Sequence, residues 1–366
     1  MLCRGQHGPR PSFRSFGIEN RQYAEHQLRR IEMAVDFSWV SISKHFHPVF
    51  EEKKLKKLPV QVEVGDFKIV LFRGVDDEIV AMPDQCPHRF TPLSLGQVLA
   101  DGSIECPYHG WSFNKDGVGT IPSAPEGKKC SIPVLKTLLR NGVIWVGGQH
   151  ATDLPEFEDP EYTFLGEFPT VFDCPLHVAL DNFSEDEHFP YVHQTFGWDR
   201  EGAKHVEYEF EQSDTCTKNY YRGPIRKFPL MFLTGVKPGD ISHNRFITFF
   251  DPIRSTYESW VTNKETQASI GGRIKTTIFF VPNTKNRTTL YSFVFGKTED
   301  AKSAFFQNHF RGFILKFIKK EFEADGKFSS KLSHLPYALN GTRLGKYDKP
   351  LVIHRKMLER IYLGDA

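Results

Sequence analysis

No stretch of this 366-residue chain approaches the roughly 20 consecutive apolar residues that a membrane-spanning helix needs. An excess of one charge is also missing. The chain has 47 Lys and Arg against 45 Asp and Glu, a formal net charge of +2 with both signs mixed. That balance gives no electrostatic footprint for nucleic acid. Cysteine is scarce, at six residues: Cys3, Cys86, Cys106, Cys130, Cys174 and Cys216. In a long chain without a secretory signal pattern, so few cysteines argue against a disulfide framework and for a cytoplasmic setting. Cysteines that sit beside histidines then point to metal. There is no internal repeat and no low-complexity tract. Phenylalanine, by contrast, is abundant at 33 residues. A Phe-rich core is its ordinary use, and an aromatic-lined pocket is the alternative.

Residues 1–34 show little apolar periodicity and read as a disordered tail, or as sequence upstream of a later start at Met33. A transit peptide fits poorly, because Glu19, Glu25 and Glu32 interrupt the arginines. A first domain is expected over 35–150. Val60–Val64, Phe67–Phe72 and Ile79–Ala81 are short β-type runs, and Gly65-Asp66, Asp76-Asp77, Asp101-Gly102 and Asn141-Gly142 supply the turns. Val143–Val146 reads as its closing strand. Residues 151–170, rich in Pro, Asp and Glu, read as a surface linker. A second domain is expected over 171–366. Its strands are 205–211, 244–250, 255–261 and 275–281, whose alternation suits a sheet with one covered face. Phe306, Phe310, Phe313 and Phe317 then recur at helical spacing, a stripe expected to pack onto the core. The fold class is therefore α+β.

Two segments carry chemistry. The first is Asp181-Asn-Phe-Ser-Glu-Asp-Glu-His-Phe-Pro-Tyr-Val-His193. Two imidazoles and a carboxylate are the ligand set that holds non-haem Fe(II) on one face and leaves the other open. Glu185 lies three residues before His188, so on a helix the two share a face. His188 and His193 are five apart, a splay of about 140° on an unbroken helix. Pro190 should break the helix between them and let both rings reach one metal. An ordinary solvated helix face is the bland alternative.

The second segment pairs Cys86-Pro-His88 with Cys106-Pro-Tyr-His109 across a gap of seventeen residues. Zinc knuckles usually take two cysteines from one arm and two histidines from the other. Here each arm offers one of each. That suits an asymmetric [2Fe–2S] centre with Cys86 and Cys106 on one iron and His88 and His109 on the other. Gly110 and Trp111 let the loop turn tightly and be roofed by an aromatic.

Cys-Pro-His-Arg, the gap and Cys-Pro-Tyr-His-Gly-Trp resemble the signature of a Rieske domain. The segment 181–193 resembles the mononuclear-iron motif in the catalytic α subunit of Rieske non-haem iron oxygenases. The resemblance spans roughly residues 35–365. It implies an N-terminal all-β Rieske domain and a C-terminal helix-grip catalytic domain of antiparallel sheet and helices. It also implies two cofactors, a [2Fe–2S] cluster and a mononuclear Fe(II) that activates O2. His188 and His193 match the imidazole ligands. The third ligand of the family is a downstream Asp, which Asp325 matches, with Glu323 and Glu321 as alternatives. Gly326, directly after it, is expected to weaken the helix there. Glu185 stands where many members have an Asp that bridges to a Rieske histidine of a neighbouring subunit, and Asp186 competes with it. Asn182 matches an amide near the iron, or it caps a helix.

The implied partners are a small organic substrate, possibly aromatic, O2, a separate reductase or ferredoxin and two further copies in a homotrimer. The expected activity is hydroxylation or oxidative demethylation. Ring cis-dihydroxylation, a Rieske electron-transfer protein and a zinc-stabilised interaction module are the competing readings.

Overall fold

The computed structural model describes residues 42–363 apart from 125–129, 196, 229–230 and 299–300. The tail expected over 1–34 lies outside the described residues. Two three-stranded sheets and one five-stranded sheet build the N-terminal part. Strands β1 (His47–Glu51), β2 (Val60–Val64), β3 (Phe67–Arg73) and β4 (Ile79–Pro83) come first. Five very short strands follow, β5 (Gln97–Val98), β6 (Ile104–Glu105), β7 (Ser112–Phe113), β8 (Val118–Thr120) and β9 (Cys130–Ser131). They form a meander; the first Cys/His arm lies in the connection from β4 to β5 and the second between β6 and β7. β10 (Lys136–Arg140) and β11 (Val143–Gly147) close the unit, with β11 between β1 and β10. All five residues of β11 are buried, which explains its unbroken Val-Ile-Trp-Val run.

The C-terminal part is one antiparallel sheet of seven strands in the order β12-β18-β17-β16-β15-β14-β13. Its members are β12 (Thr163–Phe172), β13 (Glu207–Gln212), β14 (Cys216–Pro224), β15 (Ile241–Phe250), β16 (Ile253–Thr262), β17 (Ser269–Thr284) and β18 (Arg287–Thr298). Four helices matter for the site: α1 (Leu176–Asn182), α2 (Phe189–Val192), α3 (Ala301–Ser329) and α4 (Lys349–Leu358). The long helix α3 spans about 43 Å and crosses one end of the sheet over β12 and β18. Among the described residues, no helix is long and apolar enough to cross a membrane.

Three expectations need correction. The stretch 151–170 is not all linker, because β12 begins at Thr163 and pairs with β18 along its length. Its Leu165, Phe168, Thr170 and Phe172 supply the buried positions that the acidic composition masked. The Phe stripe on α3 does not face the core at Phe310 and Phe313; Phe317 is half-buried, and the Phe306 side chain lies outside the described residues. Phe310 is 46% and Phe313 59% exposed. The side of α3 that faces the sheet is instead set by Gln307, Ile318, Glu321, Phe322 and Asp325, all buried. Finally, Gly326 does not weaken the helix, which continues to Ser329. A Cβ there would meet two ring carbons of Phe172 at 3.2 Å, so the glycine lets α3 lie close on β12.

One hydrophobic core runs through both parts. Trp145 of β11 stands edge-on to Phe279 (ring centroids 4.8 Å apart) and stacks with Phe293 (5.5 Å). Backbone bonds from Gly65 and Asp66 to the carbonyls of Pro282 and Asn283 tie the β2–β3 turn to the end of β17.

Candidate metal centres

The two Cys/His arms fold as near copies of one loop. In the first arm, Cys86 donates its N–H to Thr91 and accepts from Phe90 at its carbonyl. In the second, Cys106 donates to Trp111 and accepts from Gly110. The residue four after each cysteine takes a left-handed conformation, with φ of 60° at Phe90 and 70° at Gly110. Glycine does this freely, whereas Phe90 carries strain at its loop tip.

The loops bring together the four residues singled out from sequence. Cys86 and Cys106 are buried, and the His88 and His109 rings lie 4.5 Å apart. Trp111 roofs the site by stacking on His88 (4.8 Å, 7° between planes), and Tyr108 packs on His109. Burial pushes the Cys86 thiol up to about 11, with Cys106 and Cys130 nearby opposing its ionisation further. A buried thiol of that kind becomes a thiolate when metal displaces its proton. Nδ1 of His88 is buried with no hydrogen-bond partner. Two shielded thiols and two adjacent imidazoles, one with an orphaned nitrogen, fit an asymmetric iron–sulfur cluster.

The second centre is built where α1 ends. The chain then turns through 183–188 and makes the single turn of α2 between the two histidines. Pro190 does not break a helix between the histidines as expected: it stands in the first turn of α2, where its missing N–H costs nothing, and His188 and His193 flank that single turn as its caps. Nε2 of His188 and Nε2 of His193 lie 3.3 Å apart, and Oδ1 of Asp325 is 3.6 Å and 3.4 Å from them. These three ligand atoms form a group able to hold a metal ion. Asp325 Oδ1 is buried without a hydrogen-bond donor. Burial raises the Asp325 carboxyl, against the pull of His193, His188 and the Asn182 amide.

Both rings are oriented from behind by a glutamate. His188 Nδ1 donates to Glu185 Oε1 at 2.7 Å, and His193 Nδ1 donates to Glu321 Oε2 at 2.9 Å. Such carboxylate–imidazole pairs fix the tautomer so that Nε2 faces the metal. Burial works against a charge on His188, but Glu185, Asp325 and Asp186 together outweigh it and hold the ring up at about 9. Glu185 Oε2 accepts from the backbone N–H groups of Glu187 and His188, so both of its oxygens are engaged within the chain.

Of the alternatives, Glu321 orients His193 rather than joining the ligand atoms, and Glu323 is exposed. Asp186 does not join the three ligand atoms; its Oδ2 accepts from Asn244 Nδ2 of β15 at 3.0 Å. Asn182, the last residue of α1, faces Asp325.

Sequence reasoning missed the scaffold behind this segment. Arg226 donates to the carbonyls of His193 and Pro190. His354 of α4 lies between Ser184 Oγ (2.9 Å) and Thr217 Oγ1 (2.8 Å). Ser184 already donates to Leu180, so Nδ1 of His354 is the donor to Ser184 and Nε2 accepts from Thr217. The neighbouring Arg355 bonds Asp181. Only the order Asp-x-x-Ser in the ligand segment hinted at these anchors.

The structure thus joins a unit with paired Cys/His loops to a sheet-and-helix unit in which two histidines and one aspartate converge. Residues 45–137 match the Rieske [2Fe-2S] domain family. The chain is homologous to Rieske oxygenases. It is 32% identical over 194 residues to chlorophyllide a oxygenase of Chlamydomonas reinhardtii, covering 50% of this chain and 28% of that protein. It is 34% identical over 168 residues to the oxygenase component of dicamba O-demethylase from Stenotrophomonas maltophilia, covering 40% of this chain and 48% of that protein. Alignments to these curated relatives thus span less than half of their length. The fold matches crystal structures of dicamba monooxygenase (TM-score 0.73, 20% identity, 88% of this chain and 97% of that one). It also matches the methylxanthine N1-demethylase NdmA of Pseudomonas putida (TM-score 0.63, 20% identity, 86% and 89%).

Proposed function

We propose that the chain is the terminal oxygenase component of a multi-protein system that hydroxylates or oxidatively demethylates a small organic substrate. The observation that carries this reading is the convergence of His188, His193 and Asp325 on the same chain as the Cys86/His88/Cys106/His109 loops. When bound, the cluster supplies single electrons and the mononuclear iron supplies O2 activation. The relatives named as demethylases favour monooxygenation or methyl removal over ring dihydroxylation.

Each residue then has a task. Glu185 and Glu321 hold the imidazoles of His188 and His193 with Nε2 forward. Asp325 adds the one charge in the ligand set, with Asn182 against it. Phe189, Trp198, Tyr221 and Phe246 form an apolar cluster beside the histidines and keep water from that side. The exposed edge of His109 is where an electron donor would approach. In a homotrimer, Glu185 would face the Rieske histidines of a neighbouring copy, releasing Oε2 from its backbone contacts to reach them. A separate reductase or ferredoxin completes the system.

The test is His188→Ala on the full chain. Turnover with reductase and substrate should be lost while the visible and EPR signature of the cluster stays. Wild-type protein should hold about three irons and two sulfides per chain. Undiminished turnover in the variant, or about two irons unchanged by added Fe(II), would replace this reading with an electron carrier.

A further inference from the structure

The outward face of α3 has no part in the reading above. Residues 301–320 carry five Phe and five Lys or Arg, and no Asp or Glu. Phe305, His309, Phe313, Lys316 and Lys320 follow one another at spacings of four, four, three and four, which lines them along one ridge of the helix. All five are exposed, Phe305 at 61% and Phe313 at 59%. The His309 ring stacks on Phe305 with centroids 3.9 Å apart. Arg311 and Lys319 flank the ridge, and none of the four described cations forms an ion pair among the described residues.

Two large rings held in water on a helix whose other side is fully committed to the sheet need a partner. A Cβ built on Gly312, at the middle of the ridge, meets nothing within 4 Å, so no neighbouring element walls the ridge there. It therefore offers no groove for a peptide. Two-fold pairing with a second copy would set Lys316 and Lys320 against His309 and Phe305 and crowd the cations of both copies into one contact, with no acid in either stretch to balance them. A flat, anionic, apolar-cored surface meets both features. Phe305 and Phe313, about 12 Å apart along the axis, can sink between lipids while the cations reach the headgroups.

We infer that the Phe305–Lys320 ridge of α3 docks this protein on the surface of an anionic lipid bilayer, with the helix lying in the plane of the headgroups.

The test is flotation of the full chain with phosphatidylcholine vesicles, with and without phosphatidylglycerol. Wild-type protein is expected to float with the phosphatidylglycerol vesicles and to leave them as salt is raised. The double variant F305S/F313S should lower partitioning about a hundred-fold, ten-fold for each ring withdrawn from lipid. K316E/K320E should lower it at least about twenty-five-fold, five-fold for each cation removed. The substitutions sit on exposed side chains, and an unchanged cluster spectrum checks that the fold survives. Wild-type protein that stays in the buffer with both vesicle types overturns the proposal. So does partitioning that both variants leave intact. A change of mass in sedimentation velocity for F305S/F313S, with no loss of flotation, would assign the ridge to a subunit contact instead.

Discussion

Replacing Glu321 tests whether the second carboxylate behind the iron site positions a ligand. Glu321 is 7% and His193 5% exposed, so their 2.9 Å bond is shielded from water. Glu321→Ala leaves a buried N–H without an acceptor, a loss of about 1–3 kcal/mol. The ring is then free to turn, or to bind through the other tautomer. Removing a partner of this kind typically lowers metal affinity about 10- to 100-fold. Glu321→Gln keeps an acceptor oxygen and loses only the charge assistance, so its loss should fall near the lower end, about ten-fold. The assay is Fe(II) titration of the mononuclear site in anaerobic protein, with the cluster spectrum as an internal control. The expected order of affinity is wild type, then Gln, then Ala, with the cluster unchanged in all three. Equal affinity in wild type and Ala would refute the argument. Iron loss in Gln as complete as in Asp325→Asn would make Glu321 itself a ligand.

Three further outcomes follow from particular contacts. Phe90→Gly should raise stability by about 1 kcal/mol, since glycine takes the left-handed φ without strain; a lower Tm with the cluster loaded would show that the exposed ring contributes more than the strain costs. Gly326→Val should destabilise the fold by about 2 kcal/mol through overpacking against Phe172, and a wild-type denaturation midpoint would show that α3 has room to move. Burial, with Arg355 nearby, holds His177 and His354 neutral and brings each pKa down to about 3. The unfolded chain takes up those protons near 6.5, so it binds more protons than the native state between the two values. Stability should therefore fall as pH drops from about 6.5 toward 3, by on the order of 3 kcal/mol per histidine at pH 4. His177→Phe should flatten the dependence of Tm on pH in that window, and an unchanged slope would contradict the assignment.

The residues that gather at the two candidate centres were legible because their chemistry is compressed into short segments. Cys86, His88, Cys106 and His109 sit in two loops whose turn requirements are written next to them. His188 and His193 were legible as a pair, but the route to their convergence was not: Pro190 starts the one-turn helix between them rather than breaking a longer one. Asp325 needed the resemblance, since nothing local marks one acid on a helix as buried. The roles of Glu321, Arg226 and His354 were illegible for a related reason. Each meets its partner across 128, 33 or 170 residues of chain, and no periodicity encodes such a meeting. The error over the α3 stripe has a different origin. Helical spacing states that Phe310, Phe313 and Phe317 share a face, but not which way it points. Here the polar pair Glu321 and Asp325 claimed the inner side, because only that side reaches the histidines.

The packing of Trp145 against Phe279 and Phe293 bears on how such chains can be recombined. The N-terminal Cys/His unit and the C-terminal sheet-and-helix unit share one set of interlocked rings rather than meeting through a polar seam. Cutting at the boundary would expose those rings on both pieces. A chimaera that brings in a foreign iron–sulfur unit must therefore import a matching replacement for Trp145, or carry Phe279 and Phe293 along with it. The natural unit of exchange is the whole two-part chain.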